Sequence, residues 1–178
     1  KPASYWEEAL PVGNGRIAAM VFGDPQLEQI QLNEETVSAG SPYQNYNEEA
    51  KTALPEMRRL IFEGKYEEAQ NMATTKILSQ VGNEMPYQTV GRLNIRYQDH
   101  KKVNNYYRDL DISNAVAVTR YKVDGVEFTE ETFASFTDQL VIRHIKASKP
   151  GTINCELFFN TPMRDPKRSI YGKKGLRL

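Results

Sequence analysis

The chain is 178 residues long, 39% hydrophobic and 26% charged, with Lys+Arg and Asp+Glu both numbering 23. That length predicts one domain with a core large enough to fold without metal or disulfide, and the composition excludes a disordered chain. Zero net charge gives no bulk field to steer a polyanion, which argues against nucleic acid as a partner. The single cysteine, Cys155, excludes an internal disulfide framework, and no apolar run approaches the roughly 18 residues of a membrane span.

The chain opens at Lys1 without Met and without a signal peptide's apolar core, which reads as a removed leader or a piece of a longer protein. Two short strands are expected at 16–22 and 27–32, around a turn at Gly23-Asp24-Pro25. In the second, Leu27, Ile30 and Leu32 are the apolar positions and Glu28 and Gln31 the polar ones. A polar loop over 33–48 leads into helical periodicity. Leu54, Met57, Leu60 and Ile61 share one face, with Pro55 in a first turn and Gly64 as the stop. Tyr66, Ala69, Met72 and Ile77 mark a second helix to about Leu78, giving an αα-hairpin.

From residue 88 the period becomes two. Leu93, Ile95 and Tyr97 alternate with polar neighbours, and Asp124-Gly125 separates β-rich runs at 115–123 and 126–136, a strong hairpin signal. A strand at 140–147 follows, then Ile153, Cys155, Leu157 and Phe159 in alternation. The predicted fold is mainly β: an antiparallel β-sandwich forming one domain over 1–178, with a short helical insertion near residues 48–78. The basic tail 164–178 mixes Pro, Gly, Ile, Tyr and Leu as a turn-and-strand segment does. Its Leu176-Arg177-Leu178 end reads as an unfinished strand, which predicts edge-to-edge self-association or poorly fixed last residues.

Adjacent carboxylates are plentiful: Glu7-Glu8, Glu34-Glu35, Glu48-Glu49, Glu67-Glu68 and Glu130-Glu131. Neighbours diverge on strands and helices alike, so none is a ready acid/base dyad, and solvated charge is expected at each. His100 and His144 stand in no metal-binding spacing, His144 being expected on a sheet face; no metal site and no cofactor are predicted. There is no GxSxG, and Cys155 reads as a small buried hydrophobe. Gly13-Asn14-Gly15-Arg16-Ile17-Ala18 matches the dinucleotide fingerprint, but Pro11 breaks the segment before it and only seven residues follow before the next turn. Strand and helix are both required, so the match is rejected. Trp6, Tyr43, Tyr46, Tyr106, Tyr107 and Tyr171 fall in expected loops or termini, as a sugar-stacking platform or as rings covering the sheet edge. The candidate substrate-binding residues are Asn14, Arg16, Asn33 and Glu34, which an antiparallel pairing of the first two strands gathers at one sheet end. Ordering the loops is their competing role.

The runs ALPVGNGRIAAMVFG (9–23), QIQLNEETVSAG (29–40), LPEMRRLIFEGKYEEA (54–69), YQTVGRL (87–93), YRDLD (107–111), NAVAVTRYKVDGVEFTEETFAS (114–135) and TDQLVIRHI (137–145) occur in this order. Together they resemble the N-terminal domain of glycoside hydrolase family 95, the inverting α-L-fucosidases. The family usually has Trp in the loop here written Glu35-Thr36-Val37-Ser38, and Gly where Ala18 stands. The resemblance implies a β-sandwich joined to a helical barrel that holds the catalytic acid and base, so no catalytic residue is carried over. It further implies a partner barrel in the same parent chain, a fucosylated glycan as the parent's substrate, and a periplasmic or secreted location. A parent acting as an α-L-galactosidase and a free-standing carbohydrate-binding module are the alternatives.

Overall fold

A computed structural model describes residues 1–40, 44–79, 86–164, 166, 167, 169–171 and 175–177, with backbone alone from 169 onward. Two compact units emerge: 1–37 with 88–178, and 38–87.

The first unit is built of antiparallel strands. Strands β1 (Leu10–Gly13), β2 (Ile17–Val21), β3 (Leu27–Glu34), β4 (Gly91–Tyr97) and β9 (Cys155–Asn160) form a five-stranded sheet in the order β1-β2-β3-β4-β9. Strands β5 (Asn104–Asp111), β6 (Val116–Val123), β7 (Val126–Ser135) and β8 (Leu140–Ala147) form a four-stranded sheet in that order. Val12, Ala19, Val21, Ile30, Ile95 and Tyr97 of the first sheet pack with Ala117 of the second, joined by half-buried Leu110, Val141 and Ile145. A β-sandwich, as expected from the period-two segments, follows from this shared core.

Local chemistry explains the joints. Between β6 and β7, Asp124 (φ 47°) and Gly125 (φ 79°) both take the left-handed conformation that a two-residue hairpin turn requires. Asp24 accepts from the amides of Gln26 and Leu27 at 2.8 and 3.1 Å, closing the β2–β3 turn. At the head of β4, Gly91 has φ 133°, and a Cβ there would stand 2.5 Å from the Asn160 carbonyl oxygen of β9. Only glycine fits that approach.

Three expectations need correcting. Pro11, read as breaking the segment, lies inside β1; β1 is the sheet edge, where a strand tolerates the missing N–H. Tyr106 and Tyr107 lie in β5 rather than a loop. The last strand has a partner: β10 (Ser169–Tyr171) pairs with β11 (Gly175–Arg177) as a two-stranded ribbon. Trp6 begins a single 3₁₀ turn, Trp6–Glu8; Tyr43 and the ring of Tyr171 lie outside the described residues.

The second unit holds α1 (Ala50–Phe62) and α2 (Tyr66–Met72), with Gly64 (φ 76°) between them. Helix α1 starts before Leu54, so Pro55 sits in its interior rather than in its first turn. The α2 ladder widens into a π turn, Ala73–Ile77, where a continuous helix was expected. There Thr74 and Thr75 donate their hydroxyls back to the Gln70 and Asn71 carbonyls, which competes with the regular ladder. Ser38 and Tyr87 form a bridge at the unit's neck. Just inside the sandwich, the Gln88 N–H donates to the Val37 carbonyl at 2.9 Å.

Candidate functional site

The β2–β3 register, Ala18 opposite Asn33 and Ile17 opposite Glu34, brings the four predicted site residues to one end of the five-stranded sheet. Asn14 accepts at Oδ1 from the amides of Arg16 and Ile17 at 3.1 and 3.0 Å, which shapes the β1–β2 turn. Its amide nitrogen donates to the Ser135 carbonyl of β7 at 2.8 Å, tying this turn to the end of the other sheet. Arg16 Nε lies 2.9 Å from Glu34 Oε1, and the Thr36 hydroxyl donates to Glu34 Oε2 at 2.5 Å. Thr36 first, then Arg16, hold the Glu34 carboxyl below its ordinary range. Asn14, Arg16 and Glu34 thus form one hydrogen-bonded group. Strand alternation turns Asn33 to the outer face of the sheet, where it is exposed.

Sequence reasoning missed the charged cluster between the sheets. Glu28, Glu130 and Arg143 are all buried, their side chains 0%, 1% and 7% exposed. Arg143 of β8 donates from Nη2 to Glu28 Oε2 of β3 at 2.7 Å and also to Glu130 of β7; its Nη1 reaches the Thr132 hydroxyl at 2.6 Å. The other Glu28 oxygen accepts from the Gly23 amide at 2.8 Å. Glu130 accepts the Tyr121 hydroxyl at 2.6 Å. Burial pushes the hydroxyls of Tyr121 and Tyr97 far above their ordinary value, so both stay protonated. His100 stacks on Tyr97 with centroids 4.4 Å apart, and its Nδ1 lies 3.1 Å from the Pro25 carbonyl. A carbonyl only accepts, so Nδ1 carries the proton. Burial lowers the His100 pKa, against the opposing pull of that carbonyl and of Asp99.

Glu130 was expected to be solvated and Glu28 was read only as a polar strand position; both are core residues. The signal lay in the strand phase. Glu28 shares its face with Ile30 and Leu32, Glu130 with Phe128 and Thr132, and Arg143 with Val141 and Ile145, so one charge sits at an inward position of each strand. His144 does lie on a sheet face, with Nδ1 3.2 Å from Glu131. Cys155 packs half-buried against the core, and burial raises its thiol pKa.

Among the described residues no three His, Cys, Asp or Glu side chains converge to hold a metal, and no helix is long and apolar enough to cross a membrane. The two carboxylates that sit together, Glu28 and Glu130, are neutralised by one guanidinium in a closed interior. That arrangement joins β3 of one sheet to β7 and β8 of the other.

Comparison with known proteins gives the family. The chain is 39% identical to Alpha-L-fucosidase 2 of Arabidopsis thaliana over 165 residues, 91% of this chain and 19% of that protein. It is 26% identical to Probable alpha-fucosidase A of Aspergillus niger over 82% of this chain and 19% of that protein. For the protein of the same name in Aspergillus oryzae the identity is 23%, over 82% of this chain and 21% of that one. The chain therefore spans about a fifth of the length of the curated relatives it matches. Those relatives bear out the resemblance to an N-terminal domain of α-L-fucosidases, while the matching family model describes the domain under family 65. With residues 1–178 all matched by that model, the chain belongs to the family of glycosyl hydrolase family 65 N-terminal domains.

Proposed function

We propose that residues 1–178 form a single non-catalytic β-sandwich domain standing before a helical-barrel catalytic domain in an α-L-fucosidase-like hydrolase. The parent removes terminal α-L-fucosyl units from a glycan with inversion, in the periplasm or outside the cell. One observation carries the reading: 39% identity along 91% of the chain to a protein named as an α-L-fucosidase, of which the chain spans only 19%. The carboxylate inventory supports the non-catalytic role. Glu28 and Glu130 are held by Arg143, and Glu34 is engaged by Arg16 and Thr36.

On this reading the Asn14, Arg16, Asn33 and Glu34 end of the sandwich meets the barrel and its substrate. Strand-edge self-association of the isolated chain belongs to the same proposal, with β1, β9, β5 and β8 as the sheet edges; a concentration-independent monomer in sedimentation would exclude it. The deciding experiment for activity is hydrolysis of an aryl α-L-fucoside by the full-length protein, followed by NMR of the first-formed sugar. Release of β-L-fucose is expected. Turnover of an α-L-galactoside without fucoside turnover moves the substrate, and α-L-fucose as first product overturns inversion.

A further inference from the structure

The four-stranded sheet carries an open hollow of about 430 Å³ near its β6–β7 hairpin, within the roughly 300–1,000 Å³ usual for small-molecule sites. A bulge in β5 creates it. Asn104 pairs with Lys122 but Tyr107 pairs with Arg120, so Asn105 and Tyr106 together stand opposite Tyr121. Asn105 takes a left-handed φ of 53°, which resets the alternation of the strand. Tyr106 turns inward and donates its hydroxyl to the Gly23 carbonyl at 2.7 Å. Tyr107 turns outward with 50% of its surface exposed.

Register then sets Tyr107, Arg120 and Thr129 in one row across three strands. Lys122 and Glu127, paired at 2.7 Å, line the hollow on its hairpin side. Among the described residues, the side chains of Asn105, Tyr107, Arg120 and Thr129 make no hydrogen bond or ion pair. Elsewhere in the sandwich Arg96 is paired with Glu156 and Arg16 with Glu34. An exposed ring is thus framed by an amide, a hydroxyl and a guanidinium with their bonding capacity unused.

We propose that this hollow is a saccharide-binding subsite that takes a pyranose unit of a neutral glycan. Tyr107 is the platform for the apolar C–H face of the sugar. Arg120 donates to ring hydroxyls, while Asn105 and Thr129 both donate and accept, matching groups that do the same. Glu127 balances Lys122 within the hollow, so the lining carries one net positive charge, that of Arg120. The subsite does not depend on the fucosidase reading. It lies toward the hairpin end of β7, whereas Asn14 is bonded to Ser135 at the other end of that strand.

The test is binding of the full-length protein to immobilised oligosaccharides of glucose, galactose, mannose and xylose, none carrying fucose, beside uronate and sulfated controls. Retention on at least one neutral glycan is expected. Tyr107→Ala should weaken it about tenfold or more, Tyr107→Phe should keep it, and Arg120→Ala should weaken it several-fold. Melting temperatures report whether each variant is folded, and Arg120→Ala serves if Tyr107→Ala is not. No retention on any neutral glycan, equal retention by the wild type and both alanine variants, or retention on the anionic controls alone overturns the proposal. Failure of the fucosidase reading shows separately, in the aryl fucoside assay.

Discussion

Arg143 and Glu28, 115 positions apart in the chain, meet at 2.7 Å across the interior and join β8 of one sheet to β3 of the other. The same guanidinium serves Glu130, so two carboxylates rest on one cation in a region that water does not reach. Removing the cation alone strands both. Arg143→Met is expected to cost about 3–5 kcal/mol in urea unfolding, as for a buried pair that loses one partner. Adding Glu28→Gln and Glu130→Gln to that variant should recover part of the loss, because no uncompensated charge is then buried.

His100 gives the fold a pH dependence. Its folded pKa lies below the ordinary 6.5, so the folded state favours the neutral ring. The stabilisation is present above 6.5 and is lost as pH falls from there through the lower folded value. The melting temperature should therefore be flat near neutral pH and decline below about 6.5. His100→Gln should lower the plateau and flatten that part of the decline, measured by thermal scans in matched buffers.

The sheet-end cluster separates into a structural and an exposed part. Asn14→Ala removes two turn bonds and the link to Ser135, and should cost about 1–3 kcal/mol because partly buried partners are left unmet. Arg16→Ala and Asn33→Ala should scarcely move the melting temperature. If this end meets substrate, each should raise KM for an aryl fucoside in the full-length protein. A fall of several degrees in Tm with unaltered kinetics would assign the residues to loop ordering instead.

Gly91→Ala tests the approach of β4 to β9. The added Cβ would enter the space of the Asn160 carbonyl oxygen, and φ 133° is strained for any side chain. A loss of about 1–3 kcal/mol is expected, read as a lower urea midpoint with an unchanged slope. Gly15→Ala is a comparison at which a Cβ meets nothing within 4 Å, although its φ of 93° is also strained.

Much of the sandwich was legible in the sequence because alternation is a local property. The Asp124-Gly125 turn, β4, β8 and β9 all announced themselves through period two and turn chemistry. Strand β5 did not. Its Asn-Asn-Tyr-Tyr-Arg run contains the bulge at Asn105, and an extra residue disrupts the period that would have revealed the strand. Strand β1 was hidden by Pro11, whose cost depends on edge position, a fact of topology rather than of the segment. The candidate site was half legible: hairpin pairing predicted that Arg16 and Glu34 would share one sheet end, and there they form an ion pair that was not foreseen. The buried charge cluster needed knowledge of which phase of each strand faces inward, and a glutamate is ordinarily read as the outward one.

The neck at Val37 and Gln88 makes the helical unit a cassette. Its entry and exit strands are already zipped to each other, with Ala39 N–H donating to the Pro86 carbonyl at 2.9 Å on the helical side and Gln88 to Val37 on the sandwich side. Loop-closure entropy grows only slowly with the length between such ends. The sandwich therefore senses the separation of its two attachment points far more than the content between them. A short turn grafted between Val37 and Gln88 should leave the register of β3 and β4 intact.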